Sequence, residues 1–316
     1  MITQSPEGMP ERDTVLAVFG PTAVGKTDVA LELAALLAAA GRRPVAVSAD
    51  ALQVYRGLEI LTGVPGPAER ARLEHRLISF LPVDATFSVG QYSELAHAEI
   101  DGLLAEGATP IVVGGTGLYL RAALADLDLR PAPPQEIRDR WAAALELEGS
   151  AALHRRLAAR APWAAARIDP ADRHRITRAL ALLEMGELEP PEGPSRLWTS
   201  ETRHPTRLIG LVREREELYR RIDERVAAMV AAGAVEEVRA ANAAGASETA
   251  RKALGFDELL VGDVASMQRR TRNFARRQLT WMRKLAGVEL VDLTGRSAAA
   301  AAAEILAGVA AAPPVG

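Results

Sequence analysis

The stretch that decides the fold is Gly20-Pro21-Thr22-Ala23-Val24-Gly25-Lys26-Thr27. It follows an apolar run at Val15–Phe19 and precedes a helical pattern at Asp28–Ala40. Glycines let such a loop turn its N–H groups toward an anion, and the positive end of the following helix dipole attracts the same anion. The lysine of such a loop reaches the terminal phosphates, and the last hydroxyl can hold Mg²⁺. The sequence therefore predicts a phosphate-binding loop (P-loop) for a diphosphate or triphosphate.

Composition limits the class of protein. The chain has 316 residues, which is enough for one large domain or two smaller ones. Its formal net charge is −3, so binding of a polyanion would require a local basic surface. It contains no cysteine, which excludes disulfides and a cysteine nucleophile. No apolar run predicts a signal peptide or a membrane span, so we expect a cytoplasmic protein without membrane contact.

Short apolar runs between helical patterns indicate the fold class. Val15–Phe19, Pro44–Ser48 and Pro110–Val113 each precede a turn or a glycine, and Arg207–Val212 and Val288–Leu293 extend the series. Buried strands that alternate with helices are typical of a doubly wound parallel sheet, so we predict an α/β protein of P-loop type. Ligands of such sheets bind beyond the carboxyl ends of the strands. The residues that follow the first three runs should therefore meet in one pocket.

Two proline-rich segments indicate where the chain divides. Arg130–Pro134 and Glu189–Pro194 are stiff, turn-prone stretches, and the pattern between them is helical. We predict a helical insertion domain at 135–188 within a P-loop core formed by 1–134 and 189–316. The alternative is that these helices are an ordinary part of a single domain.

Polar residues follow the second and third predicted strands. Asp50 lies just past the second, where a carboxylate can hold Mg²⁺, bind a substrate hydroxyl or amine, act as a general base, or cap a helix at 51–56. Thr116 follows the third, within Gly114-Gly115-Thr116-Gly117, where it can bind a phosphate or leaving-group oxygen or cap the next helix. ATPases of the P-loop class use an acidic residue near such a strand end, so the glycines weaken the case for ATP hydrolysis.

Basic residues are concentrated near the C-terminal end. Seven lysines and arginines and no acid lie between 269 and 284, and several recur at helical spacing. A basic helix in a chain of negative net charge is typical of polyanion binding, and ion pairing with the acids of 214–237 is the alternative. Further basic clusters are Arg173, Arg175, Arg178, Arg251 and Lys252. The histidines show no metal-ligand spacing, so we predict no transition-metal site.

Several blocks together resemble the tRNA dimethylallyltransferases, also called tRNA isopentenyltransferases. The blocks, which span most of the chain, are Gly20–Thr27, Ser48–Gly57, Phe87–Tyr92, Val113–Leu120, Arg215–Arg225 with Met229, Ala253–Phe256 and Arg276–Arg283. In that family the P-loop binds the diphosphate of dimethylallyl diphosphate, and the dimethylallyl group moves to N6 of the adenosine on the 3′ side of the anticodon. The resemblance implies a Mg²⁺-using enzyme that acts on the anticodon stem-loop of tRNA, and we expect a monomer.

The resemblance also implies roles for individual residues. Asp50 would be the general base that accepts the N6 proton, and Arg215 would neutralise the diphosphate. Thr116 would bind the bridging oxygen or orient the leaving diphosphate. Lys26 would assist, with Mg²⁺ held through Thr27. The residues implied near the tRNA are Asp50, Ala51, Leu52, Gln53, His174, Arg175, Ile176, Thr177, Arg178, Arg251, Lys252, Gly255, Phe256, Arg276 and Arg277.

The sequence departs from the family pattern at two places. Many relatives carry a lysine in the block that corresponds to Leu61–Pro65, and an aspartate at the position of Ser79. Other functions considered are a P-loop kinase of a small metabolite, a prenyltransferase of free adenine nucleotides, and an RNA-binding protein without turnover. The basic C-terminal helix favours tRNA as the acceptor, and the joint presence of Lys26, Asp50 and Thr116 favours an enzyme.

Overall fold

The structure, a computed structural model, describes residues 11, 13–190, 193 and 196–308. Its strands are β1 (Val15–Phe19), β2 (Pro44–Ser48), β3 (Glu74–Arg76), β4 (Thr109–Gly114), β5 (Thr206–Val212) and β6 (Val288–Asp292). Its α-helices are α1 (Lys26–Ala39), α2 (Glu59–Thr62), α3 (Pro67–Arg72), α4 (Val89–Ala105), α5 (Gly117–Leu124), α6 (Gln135–Glu148), α7 (Ser150–Arg160), α8 (Pro162–Ala165), α9 (Arg173–Met185), α10 (Arg215–Ala231), α11 (Ala234–Ala243), α12 (Phe256–Leu260), α13 (Val264–Met282) and α14 (Ala298–Ala307).

The strands form a sheet in the order β3-β2-β4-β1-β5-β6, and every neighbouring pair is parallel. Helices connect most of the strands, so the predicted doubly wound α/β fold is confirmed. The sequence does not predict β3. That strand has only three residues, all polar, and it lies at the edge of the sheet, where an apolar run is not required.

The register of the central strands explains where a site can form. All five side chains of β1 are buried, as expected for a parallel strand covered by helices on both faces. The last residue of β1, Phe19, pairs with Gly114 at the end of β4, and Ser48 at the end of β2 pairs with Val113. The carboxyl ends of β1, β2 and β4 therefore stop at the same edge, which brings the loops that follow them together.

The chain divides into two compact units. One contains the sheet and runs to Leu127 and again from Arg196, and the other is the helical segment Asp128–Ser195, wider at both ends than the predicted 135–188. The second proline-rich segment, 189–194, lies partly outside the described residues. In the part of the chain that is described, no helix is long and apolar enough to cross a membrane.

The helical unit has an apolar core of its own. Leu153 and Leu157 of α7 and Ile176 of α9 are fully buried in it, and Trp141 of α6 packs against them. The indole N–H of Trp141 donates to Glu184 of α9 at 2.8 Å, which satisfies the polar atom of this buried ring. The use of this unit to grip tRNA stays a prediction.

Candidate active site

A cleft of about 840 Å³ opens at the carboxyl edge of the sheet. It is lined by the P-loop, by the segments that follow β2 and β4, and by side chains from α2, α10 and α13. All of these elements belong to the unit that contains the sheet. Lys26, Thr27, Asp50 and Thr116 line the cleft together, as the sequence predicts for residues at neighbouring strand ends.

The backbone of the P-loop is shaped for an anion. Gly25, at the N-cap of α1, has a left-handed φ of 110°. A β carbon on Gly20 would lie 2.9 Å from the carbonyl oxygen of Leu211, so only glycine fits where the loop leaves β1. The N–H groups of Gly25, Lys26 and Thr27 have no acceptor among the described residues. They remain available for an anion at the positive end of α1.

Cationic side chains bind the carbonyl oxygens of the P-loop. The hydrogen bonds are Lys26 Nζ to Gly20 (3.0 Å) and Pro21 (2.9 Å), Arg221 Nε to Ala23 (2.9 Å) and Arg213 Nε to Val24 (2.9 Å). Arg213 also donates to Leu293 at 2.6 Å, which ties the loop to the end of β6. With these carbonyl oxygens occupied, an anion in the loop meets mainly N–H groups and positive charge.

Lys26 carries a shifted pKa. Its partial removal from water lowers the pKa from 10.5 to about 7, the guanidinium of Arg225 acts in the same direction, and the carboxylate of Asp50 opposes the shift. Without a ligand, this lysine therefore loses its proton more readily than an exposed lysine does. A bound anion would favour the charged form.

Asp50 presents a free carboxylate oxygen at the end of β2. Its Oδ1 accepts the N–H of Leu52 at 2.9 Å, and residues 51–56 form turns, so the helix-cap alternative does not apply. The turn is held by Gln53, which accepts from the Ser48 hydroxyl at 2.9 Å and donates to the Gly63 carbonyl at 3.0 Å. Oδ2 has no hydrogen-bond partner among the residues that the structure describes. It can therefore accept a proton from a group in the cleft.

Thr116 stands at the N-cap position of α5, but its hydroxyl makes no capping hydrogen bond. The capping alternative is therefore wrong, and the hydroxyl is available in the cleft. The end of β4 passes close to the segment before Asp50, because a β carbon on Gly114 would overlap the carbonyl group of Ala49. The glycines of this loop therefore bring the carboxylate and the hydroxyl toward the same space.

Two arginines of α10, the predicted Arg215 and Arg225, lie in different surroundings. Arg215 is exposed, lies 5.3 Å over the ring of Tyr219 and is not part of the cleft lining. Arg225, on the same helix, lines the cleft and forms no hydrogen bond or ion pair with any described residue. Burial lowers its pKa, while the carboxylate of Asp50 opposes that shift. Its guanidinium packs against Gly63, where a β carbon would collide with it.

The sequence of the chain is similar to that of known proteins. Residues 53–285 match the family described as IPP transferase. The chain is 43% identical over 282 residues to the tRNA dimethylallyltransferase of Kineococcus radiotolerans, which covers 85% of this chain and 88% of that protein. It is 41% identical to the protein of the same name from Thermobifida fusca, over 86% and 87% of the two chains. This chain belongs to the IPP transferase family.

Solved structures share the fold of this chain. The tRNA isopentenylpyrophosphate transferase of Bacillus halodurans is 31% identical, with a TM-score of 0.67 over 93% of this chain and 94% of that one. A eukaryotic dimethylallyltransferase, crystallised while acting on tRNA, reaches a TM-score of 0.69 at 21% identity over 89% and 74% of the two chains, and this likeness concerns the fold alone. The predicted family, fold and transferase class are therefore confirmed.

Some of the residues predicted to contact RNA line the cleft, and others do not. Leu52, Gln53, Lys252 and Arg277 line it. Phe256 is fully buried, so its predicted contact with tRNA is wrong. Its ring lies 5.4 Å below the Arg251 guanidinium. Gly255 is also buried and has a left-handed φ of 97°, which lets the chain turn into α12. These two residues shape the turn instead.

In the helical unit, the five residues of α9 predicted to contact tRNA also differ in exposure. His174 and Arg175 are exposed, whereas Ile176 is fully buried in the core of the unit, so its predicted contact is wrong. The Thr177 hydroxyl and the Arg178 guanidinium donate to backbone carbonyls within the unit, the latter at 3.0 Å. Positions that are consecutive on a helix point in different directions, so a contiguous block cannot all face RNA.

The basic residues of α13 do not form a single stripe. Arg272 binds both oxygens of Asp223, at 2.5 and 2.8 Å, and so follows the ion-pair alternative. Arg270 is paired with Glu258. Arg276 and Arg277 are exposed and form no ion pair with any residue in the described part of the chain, so they are available to an external polyanion.

The described residues contain no group of three or more acidic, cysteine or histidine side chains that could hold a metal ion. The hydroxyl of Thr27 lines the cleft and has no hydrogen-bond partner among them. This donor set suits a Mg²⁺ ion that takes most of its ligands from phosphate oxygens and water. It does not suit a transition metal.

Proposed function

We propose that this member of the family transfers the dimethylallyl group of dimethylallyl diphosphate to N6 of the adenosine on the 3′ side of the anticodon in tRNA. The observation that carries the proposal is the cleft itself. There an anion-binding P-loop, a free oxygen of Asp50 and a free hydroxyl of Thr116 face one space. The similarity to proteins named tRNA dimethylallyltransferase supports the same chemistry.

The P-loop and its neighbours stabilise the leaving diphosphate. The bond between C1 of the donor and the bridging oxygen breaks, and its electron pair stays on the diphosphate. Preorganised N–H groups and cations at that oxygen lower the barrier because they meet the charge as it develops. The N–H groups of 25–27, Lys26 and Arg225 supply them, and Thr116 donates to the bridging oxygen. Mg²⁺ held through Thr27 would add positive charge at the phosphates when bound.

Asp50 removes the proton from the acceptor. As the bond from C1 to N6 forms, the exocyclic amine must lose one proton, and the free oxygen of Asp50 accepts it. The adenosine is stacked in the anticodon loop, so it has to be extruded to reach the cleft. We propose that the exposed cations Arg276 and Arg277 bind the phosphates of the RNA backbone. Lys252, which is paired with Glu248, extends this surface at the cleft.

The other candidate functions are not favoured. β4 ends at Gly114 and is followed by Gly115-Thr116, without the acidic residue that P-loop ATPases use there. The deciding experiment is incubation with labelled dimethylallyl diphosphate and either total tRNA or AMP, followed by digestion and mass analysis of the nucleosides. We expect label on one adenosine of tRNA and none on AMP. Label on AMP, or a phosphorylated metabolite with no modified adenosine, would contradict the proposal.

We expect the Arg225→Met variant to bind a non-reactive thiolo analogue of the donor about ten- to a hundredfold more weakly, because a hydrogen bond to a charged group is lost. The matched control is Arg215→Met on the same helix, whose guanidinium lies outside the cleft and should be dispensable. Isothermal titration calorimetry measures both affinities. A larger loss for the Arg215 variant would restore the prediction made from the sequence.

Replacement of both Arg276 and Arg277 by alanine is expected to weaken tRNA binding and to reduce the slope of log K against log salt by about 1.4 to 1.8. This is the value for two lost phosphate contacts. Filter binding between low and high salt measures the slope. The control is Arg43→Ala, whose side chain is paired with Glu74 and Glu106 before β2. An unchanged slope in the double variant would remove these arginines from the RNA surface.

A further inference from the structure

The side chain of Gln278 connects the two loops of the site. It projects from α13 and is 5% exposed. Its Oε1 accepts the N–H of Thr22 in the P-loop at 2.9 Å, and its Nε2 donates to the carbonyl oxygen of Gly115 at 2.7 Å. One buried amide therefore joins the loop that follows β1 to the loop that follows β4.

Glycines in the loop after β4 leave room for the side chain of Gln278. A β carbon on Gly115 would overlap Nε2 of Gln278, and a β carbon on Gly117 would overlap the ring of Trp281, which lies one turn further along α13. The residues on both sides of Thr116, Gly115 and Gly117, therefore pack closely against α13. The β-carbon position of Gly115 also lies 3.4 Å from Nζ of Lys26, so the P-loop lysine and Gln278 converge on the same residue.

We propose that Gln278 is a positioning residue, which sets the distance between a diphosphate in the P-loop and the hydroxyl of Thr116. The inference rests on the proposed function, in which the Thr116 hydroxyl donates to the bridging oxygen of that diphosphate. Gln278 lines the cleft, and both polar atoms of its amide are bound to the backbone of Thr22 and Gly115, so it acts through these two loops. A buried donor or acceptor without a partner costs free energy, so each loop is most stable where its hydrogen bond to the Gln278 amide is formed.

Two substitutions distinguish the effects of the two hydrogen bonds made by Gln278. Gln278→Glu keeps the size and the acceptor for Thr22 but cannot donate to Gly115, and Gln278→Met loses both hydrogen bonds. We expect single-turnover transfer to be about ten- to a hundredfold slower in both variants, since a displacement of about 1 Å in a reacting group can cost that much. Affinity for tRNA should be unchanged, because the side chain is buried.

The matched control is Gln268→Met, on the same helix and partly exposed, with no hydrogen bond to any described residue. It should transfer at the wild-type rate. Thermal unfolding of all variants identifies a role in stability alone. If the Gln278 variants melt earlier but react at the wild-type rate, or slow only in proportion to lost tRNA binding, the proposal is overturned. If Gln278→Met does not fold, the Gln278→Glu variant still decides. Failure of the wild-type protein to prenylate tRNA would instead reject the proposed function.

Discussion

Transfer by the Asp50→Asn variant is expected to be about a hundred- to ten-thousandfold slower than by the wild-type protein, which is the typical contribution of a positioned general base. An amide has nearly the same shape as a carboxylate, and its oxygen can still accept the N–H of Leu52 that holds the turn. It cannot take up the N6 proton. The measurement is the single-turnover rate at saturating tRNA and donor, together with the dissociation constant of the tRNA.

The control for Asp50 is Asp84→Asn, which neutralises an exposed carboxylate outside the cleft lining and should leave the rate unchanged. Binding of tRNA should survive in both variants, because the asparagine at 50 preserves the turn. A wild-type rate in the Asp50 variant would exclude a general base at this position. A loss of rate that only follows a loss of tRNA affinity would assign Asp50 to binding.

Much of the site could be predicted because its residues follow buried strands directly. The P-loop, Asp50 and Thr116 each come just after an apolar run. The carboxyl ends of parallel strands lie at one edge of a sheet, so local patterns suffice to bring these groups together. The sequence also suggests the alternative role of Asp50 and Thr116, which is helix capping. Only the structure decides between these roles, since Asp50 closes a turn and the Thr116 hydroxyl makes no cap.

Side chains that enter the cleft from helices could not be predicted in this way. Arg215 and Arg225 both flank the apolar face of α10, but they are separated by ten residues (225 − 215), or about 15 Å along the axis. Only the packing of α10 on the sheet determines which of them meets the P-loop. Gln278 binds Thr22 across 256 residues of sequence, and no local pattern contains that contact.

Binding of the donor analogue at pH 8 is expected to take up close to one proton in the wild-type protein and to lose this uptake in Lys26→Met. Because burial lowers the pKa of Lys26 to about 7 without ligand, most of these side chains are neutral amines at pH 8. A diphosphate in the P-loop restores the charge, since a nearby anion raises the pKa of a cation. Affinity for the donor should therefore fall as the pH rises above 7, by up to about tenfold per unit.

Calorimetry in two buffers of different ionisation enthalpy counts the protons, and the same titrations give the affinities. Lys26→Met should also bind the analogue at least about a hundredfold more weakly, because it loses a buried charge-assisted contact to phosphate. The control is Lys284→Met, whose ammonium lies 5.4 Å over the ring of Trp198, and which should retain both the proton uptake and the affinity. Equal proton uptake in the Lys26 variant and the wild type would mean that another group titrates. Affinity that does not change between pH 7 and pH 9 would mean that Lys26 is already charged before the diphosphate binds.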